Sequence, residues 1–305
     1  MSRHRHEPTF TSYYGRPILK APTWKALDIA GYLFTGGLAG ASSILAAGAD
    51  LTGRSRLARS AKLGALGAIT VSAAALIHDL GKPSRFYNML RVAKPTSPMS
   101  MGSWLLSAYG PLAGAAAASD VTGVLPAAGR AAGLGAGVLG SGVASYTAVL
   151  IADTAVPAWH ESRKQLPFVF VGSAASAAGG LGLLTAPCAE TGPARRAAVG
   201  GAALELAASN AMEHAAGLAG ETFHEGKAGL LLRTAKALTA GGALVAATLG
   251  RRSRAAAAVS GAALLAGSAL TRFGIFEAGR ASTLDPKYTV VPQRERLREK
   301  EVVGS

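Results

Sequence analysis

One cysteine, Cys188, stands in a chain of 305 residues. A lone thiol excludes an internal disulfide and a cysteine-ligated iron–sulfur cluster, and the lack of a CxxCH string excludes covalent c-type haem. Cys188 reads as a small apolar filler near a helix end. If the protein moves electrons, its metal centres must come from partners. Charge is scarce as well: 16% of residues carry it, with 17 acids against 31 Lys and Arg, for a formal net charge of +14. Such a surplus raises nucleic acid as a partner. The cations, however, fall in short clusters between apolar runs, neither along one helix face nor interleaved with stacking aromatics. That distribution argues against nucleic acid and fits lipid-headgroup and topology signals.

What the chain has instead is apolar length. Half of its residues are hydrophobic, and Ala outweighs Leu and Ile among them. With 39 Gly and 6% aromatics, a soluble core would be hard to fill to ordinary density, whereas membrane helices approach one another through small faces. Apolar runs lie at 27–49, 61–80, 102–120, 131–153, 166–186, 197–218, 234–250 and 255–276. Each approaches the roughly 20 residues that cross a bilayer of about 30 Å. The sequence therefore predicts an all-α membrane protein of eight transmembrane helices, arranged as two four-helix bundles. Spacings of the small-xxx-small type at Gly36/Gly40, Gly110/Gly114 and Gly133/Gly137 support close helix packing. Around this domain, residues 27–277, lie a basic interfacial N-terminal segment, 1–26, and a polar C-terminal tail, 278–305. Tyr13, Tyr14 and Trp24 suit an interface belt. The first apolar run is too long and begins too late for a signal peptide, and reads as a retained helix.

Eight spans put both termini on one face of the membrane. The short connections on the other face carry ten Lys and Arg, from Arg54 to Arg254, against Asp50, Asp120 and Glu190. Cations in short loops mark the cytoplasmic side, so the termini are predicted to be extracytoplasmic, in a plasma-membrane protein. All six histidines (His4, His6, His78, His160, His214, His224) fall on the termini side, with Asp79, Asp153, Glu161, Glu213, Glu221 and Glu225. More loop on that side explains part of the asymmetry. Asp153, Glu213 and His214 lie at helix ends, however, which marks that end of the molecule as the functional one.

The stretch Ile77–Leu106 is the most distinctive. It leaves an apolar helix at His78-Asp79, sets Lys82, Arg85, Arg91 and Lys94 among aromatics and prolines, and enters a new helix near Gly102. His78-Asp79 pairs a group titrating near neutrality with a carboxylate, suitable for proton relay; alternatively Asp79 only bonds loop amides before Gly81. Tyr146 and Asp153 are seven apart and share a face of the fourth span. Such a hydroxyl and carboxylate suit a quinone carbonyl and its proton, or Tyr146 only packs. Glu205 is the deepest ionisable group, a functional candidate by default unless it simply bonds a neighbouring helix. Haem between His78 and His214 is disfavoured, since both look terminal.

At these residues the sequence resembles a family. HDLGKPSRFYNMLRVAKPTSPMSMGSW is similar to the loop between spans two and three of the NrfD/PsrC family of polysulfide-reductase-type membrane anchors. DIAGYLFTGGLAG is similar to that family's first span, and SYTAVLIADTAVPAWHESRKQLPFVFVGSAAS to its fourth and fifth. The resemblance implies a quinone-reactive subunit with no metal or haem of its own. It would exchange electrons between menaquinone or ubiquinone and a ferredoxin-like iron–sulfur subunit, usually accompanied by a molybdopterin catalytic subunit. It further implies a quinone head near His78, Arg85 and Tyr146, and a proton path among Asp79, Asp153 and Glu205. Where some members bind quinone through polar groups at the start of the first span, this chain offers only Lys20, Thr23 and Trp24. Two other readings stand beside this one. A proton-coupled small-molecule transporter would use Glu205 and Asp153, with Gly110-Pro111 as a broken span; a structural tether would use none of them.

Overall fold

The computed structural model describes residues 18–20 and 22–303; His4, His6, Tyr13 and Tyr14 lie outside them. The described residues are mostly helical, with no strand. In order they form α1 (Ala26–Leu51), α2 (Ser55–Asp79), α3 (Phe86–Met89), α4 (Pro98–Thr122), α5 (Pro126–Ala152), α6 (Pro157–Glu161), α7 (Leu166–Thr185), α8 (Gly192–Ala215), α9 (Gly226–Thr248), α10 (Arg254–Leu284) and α11 (Lys287–Val303). Short 3-10 turns occupy Pro83–Arg85 and Gly217–Phe223.

Among the described residues six helices, α1, α2, α5, α7, α9 and α10, are long and apolar enough to cross a membrane. Helices α4 and α8 match them in length, at 25 and 24 residues, but not in composition. The first is diluted by Ser, Gly and Pro, the second by Arg195, Arg196, Glu205 and Glu213. Several helices outrun their apolar runs. SRLARS opens α2 ahead of residue 61, and α10 passes residue 278 to reach Leu284. Arg and Lys are good helix formers that cut hydropathy without ending a helix. Helix α4 runs unbroken through Gly110-Pro111, so the broken span is not found. Its ends are well marked: the Ser97 hydroxyl accepts from Ser100 N at 3.4 Å, and Gly123 closes the helix at φ +72°.

Packing follows the chain. Helix α1 lies against α2 and α5, and α5 against α4; α7 lies against α8 and α10, and α10 against α9. The two sets meet where α1 and α5 touch α7, and α1 touches α10. Glycines set the closest crossings. A Cβ on Gly40 would lie 2.3 Å from the Gly140 carbonyl oxygen, and one on Gly140 2.5 Å from that of Gly40, joining α1 to α5. Gly110 meets nothing within 4 Å, so the Gly110/Gly114 spacing is not a packing face.

At the short-loop end, the three acids of that side are taken up within the fold. Buried Lys62 of α2 bridges Asp50 of α1 at 2.7 Å and Asp120 of α4 at 3.2 Å, while Arg59 also holds Asp120 at 2.6 Å. Glu190, between α7 and α8, accepts from the Arg56 and Leu57 amides at 2.9 and 3.0 Å. It thereby caps the N-terminus of α2 from another element. Arg254 donates to the Leu183 and Leu184 carbonyls at the end of α7.

Candidate functional site

On the termini side of the first helical set, the site begins on α1. Asp28 sits in the first turn of α1, where a carboxylate is favoured by the helix dipole. Tyr32 follows four residues later, one turn on and on the same face. Asp28 is buried, and its Oδ2 lies 2.9 Å from Nδ1 of His78, which is 65% exposed at the end of α2. Tyr32 is fully buried, with its hydroxyl 2.5 Å from that of half-buried Tyr146 on α5. Only one phenol of such a pair donates to the other, so the second keeps a free O–H. Because Tyr32 is enclosed, the outward hydroxyl belongs to Tyr146. The Tyr146 ring lies against Gly102 of α4, where a Cβ would come within 2.0 Å of it. Ser72 of α2 donates to the Tyr32 carbonyl at 3.3 Å. A surface imidazole, a buried carboxylate and two phenols thus run inward from His78. They combine an imidazole on a buried carboxylate with a hydroxyl able to donate to a carbonyl.

The predicted residues divide. His78 and Tyr146 are both brought against α1, but through Asp28 and Tyr32, which the sequence reading passed over. The signal lay in DIAGY, a carboxylate and a phenol at i, i+4 opening an apolar helix. Asp79 is half-buried and makes no hydrogen bond or ion pair among the described residues, so it does not tie the loop amides. Asp153 caps α5 in exposed chain beyond the last helical turn. Arg85 is exposed in the 3-10 turn. Trp24 is half-buried against the core: it stacks on buried Trp159 at 6.2 Å and 16°, and Trp159 packs on Phe276 and donates to the Ile275 carbonyl at 2.8 Å.

The loop after α2 is held from within. Ser100 donates to the Val92 carbonyl at 2.7 Å and accepts from Lys94 N at 3.0 Å, and Trp104 reaches the same carbonyl at 3.4 Å. Lys82, Arg85, Arg91 and Lys94 all stay exposed, beside a Tyr87 that is 73% exposed. None of these four forms an ion pair among the described residues.

Glu205 lies elsewhere, buried between α8 and α10. Its Oε1 accepts from Thr271 at 2.7 Å, beside buried Arg272. Arg272 lies inside the predicted run 255–276, where the sequence analysis does not single it out. A cavity of about 390 Å³ near α11 is rimmed by Lys227, Glu277, Arg280 and Tyr288, with Lys227 paired to Glu277 at 2.9 Å. Beside it, a hydrogen bond to Glu221 holds the Lys287 ammonium above its ordinary range, and burial pushes the Tyr288 hydroxyl up. Among the described residues no group of three or more His, Cys, Asp and Glu is placed to hold a metal.

A search of curated proteins returns no match to the chain. Compared with protein families, residues 20–199 match the family described as polysulphide reductase, NrfD. That segment takes in all of α1 to α7 and the first turns of α8, with Asp28, Tyr32, His78 and Tyr146 inside it. The chain belongs to the NrfD polysulphide reductase family, and is an integral membrane protein of the kind that serves as membrane subunit in polysulphide reductase-type redox complexes.

Proposed function

We propose that this chain is the quinone-reactive anchor of such a complex, passing electrons between menaquinone or ubiquinone and an iron–sulfur partner. In this reading α4 and α8 cross the membrane with the six apolar helices, giving eight spans in two four-helix bundles. The membrane is the plasma membrane, and the termini face outward. Electrons go to or come from a ferredoxin-like iron–sulfur subunit and, beyond it, a molybdopterin catalytic subunit.

The observation that carries the reading is the Tyr32–Tyr146 hydroxyl pair, reached from the surface through Asp28 and His78. A quinone head fits these groups, since its carbonyls accept hydrogen bonds and Tyr146 keeps a free O–H. Quinone reduction takes two electrons from the partner's iron–sulfur centres and two protons from water to give quinol; oxidation returns both. Tyr146 orients the head and hands protons across its hydroxyl. Asp28 and His78 exchange them with solvent, a role the family resemblance implies for Asp79, Asp153 and Glu205. Trp24, fixed on Trp159, positions the start of α1. The unpaired cations Lys82, Arg85, Arg91 and Lys94 with exposed Tyr87 suit an acidic partner surface over the site.

The test is a mild-detergent affinity purification, with iron, molybdenum and quinone assayed in the eluate. Co-purifying iron–sulfur protein with extractable quinone, whose turnover is lost in Tyr146→Phe, is the expected result. Undiminished quinone turnover in that variant would reduce the chain to a tether.

A further inference from the structure

A groove at the short-loop end has no part in the site around Tyr146. Its volume is about 370 Å³, and it lies along the seam where the two helical sets meet. Ala41, Ile44 and Gly48 of α1 line one side, Pro193 and Arg196 of α8 the other, with Ala178 of α7 between them. Small residues leave the space open. Gly48 is exposed, and a Cβ built on it would meet nothing within 4 Å. Ile44, 45% exposed, turns further apolar surface toward the same space.

Length and charge decide what such a groove takes. Along α1 it extends from Ala41 to Thr52, about 16 Å at the helical rise, which is one leaflet of a bilayer core about 30 Å thick. A space of this size admits a hydrocarbon chain and is too small for a helix, about 10 Å across with its side chains. Its outer end is cationic. Arg196 is exposed and makes no ion pair or hydrogen bond among the described residues. The acids of that end are engaged elsewhere, Asp50 and Asp120 with Lys62, and Glu190 with amides of α2. Arg54 donates to the carbonyl of groove-lining Thr52 at 3.4 Å and likewise has no ion pair among the described residues. An apolar slot one leaflet deep, ending at unpaired arginines, complements both parts of an anionic phospholipid.

We propose that this seam binds one anionic phospholipid, with an acyl chain along Gly48 and the headgroup phosphate on Arg196, beside Arg54. A quinone tail is apolar too, but it brings no anion to Arg196. The groove also begins at Ala41, about 14 Å along α1 from Tyr32. Because α1 of the first set and α8 of the second each supply a side, the bound lipid braces the two sets against each other. The site is independent of the quinone reading.

The test is native mass spectrometry of the full chain, delipidated in mild detergent and titrated with phosphatidylglycerol or with phosphatidylcholine of the same acyl chains. One phosphatidylglycerol is expected to bind several-fold more tightly than phosphatidylcholine. Arg196→Gln should bring the two lipids to the same affinity. Gly48→Leu, which fills the groove and suits a helix, should weaken both several-fold. Phosphatidylglycerol should raise the unfolding midpoint of the wild type more than that of either variant. Equal affinities for the two lipids in the wild type, a preference that survives Arg196→Gln, or undiminished binding by Gly48→Leu overturns the proposal. Displacement of bound phosphatidylglycerol by menaquinone would give the groove to a quinone tail and overturns it as well. Tyr146→Phe should bind phosphatidylglycerol as the wild type does, so failure of the quinone site is seen separately.

Discussion

Tyr32 and Tyr146 share one short hydrogen bond but differ in exposure, and this separates their roles. Removing the Tyr146 hydroxyl takes away the outward donor. On the proposed reading Tyr146→Phe weakens quinone binding by about 1.4 kcal/mol, roughly tenfold; the ring still packs on Gly102, and the stability cost is that of the buried Tyr32 hydroxyl left without its acceptor, about 1 kcal/mol. Tyr32→Phe leaves that donor but frees its orientation, so it lowers turnover more than affinity. Steady-state titration with a short-chain quinol separates the two. Gly102→Ala reaches the same site without touching a polar atom, because its new methyl must displace the Tyr146 ring. It is expected to reproduce the turnover defect of Tyr146→Phe while thermal stability changes only modestly; normal turnover would mean that the position of this ring does not matter. Asp28→Asn keeps a hydrogen-bonding partner for His78 and removes the charge, and should slow proton exchange while leaving quinone affinity unchanged.

At the scale of elements, the helices were legible wherever apolar length alone decides, as in α1, α5 and α7. They were misjudged where cations extend a helix past its apolar run, as at SRLARS in α2 and GKAGLLLRTAK in α9. Pair contacts were the least legible part. His78 and Asp79 are adjacent in sequence, yet the partner of His78 is Asp28, fifty positions away, because the end of α2 lies beside the start of α1 and no local spacing encodes that. Lys62 shows the same limit. In sequence it is one more basic-loop residue; in the fold it is 7% exposed and joins three helices through Asp50 and Asp120. Removing Lys62 leaves Asp50 without its cation while Asp120 keeps Arg59, and breaking such a pair costs about 3 kcal/mol. Lys62→Ala should therefore lower the midpoint of thermal unfolding in detergent clearly. Arg195→Ala, at a cation with no ion-pair partner among the described residues, should leave it unchanged. Equal midpoints for the two variants would make the Lys62 cluster energetically silent.

Across the whole molecule, the formal charge of +14 is spent unevenly. At the short-loop end Arg59 and Lys62 hold the acids of that side, and Arg254 binds helix carbonyls, so part of the surplus there is structural. On the termini side of the first set, Lys82, Arg85, Arg91 and Lys94 are exposed with no ion pair among the described residues, on a loop braced by Ser100 and Trp104. Such a loop is rigid enough to present charge, and unpaired charge at a rim governs association rate and its salt dependence. The double variant Arg85→Glu, Arg91→Glu should thus reduce recovery of the iron–sulfur partner, with the loss growing as salt is lowered, because like charges then repel over a longer range. Bound lipid and unfolding temperature should stay as in the wild type, since neither side chain supports the helices. Full recovery of the partner by the double variant at low salt would place the docking surface on the second helical set instead.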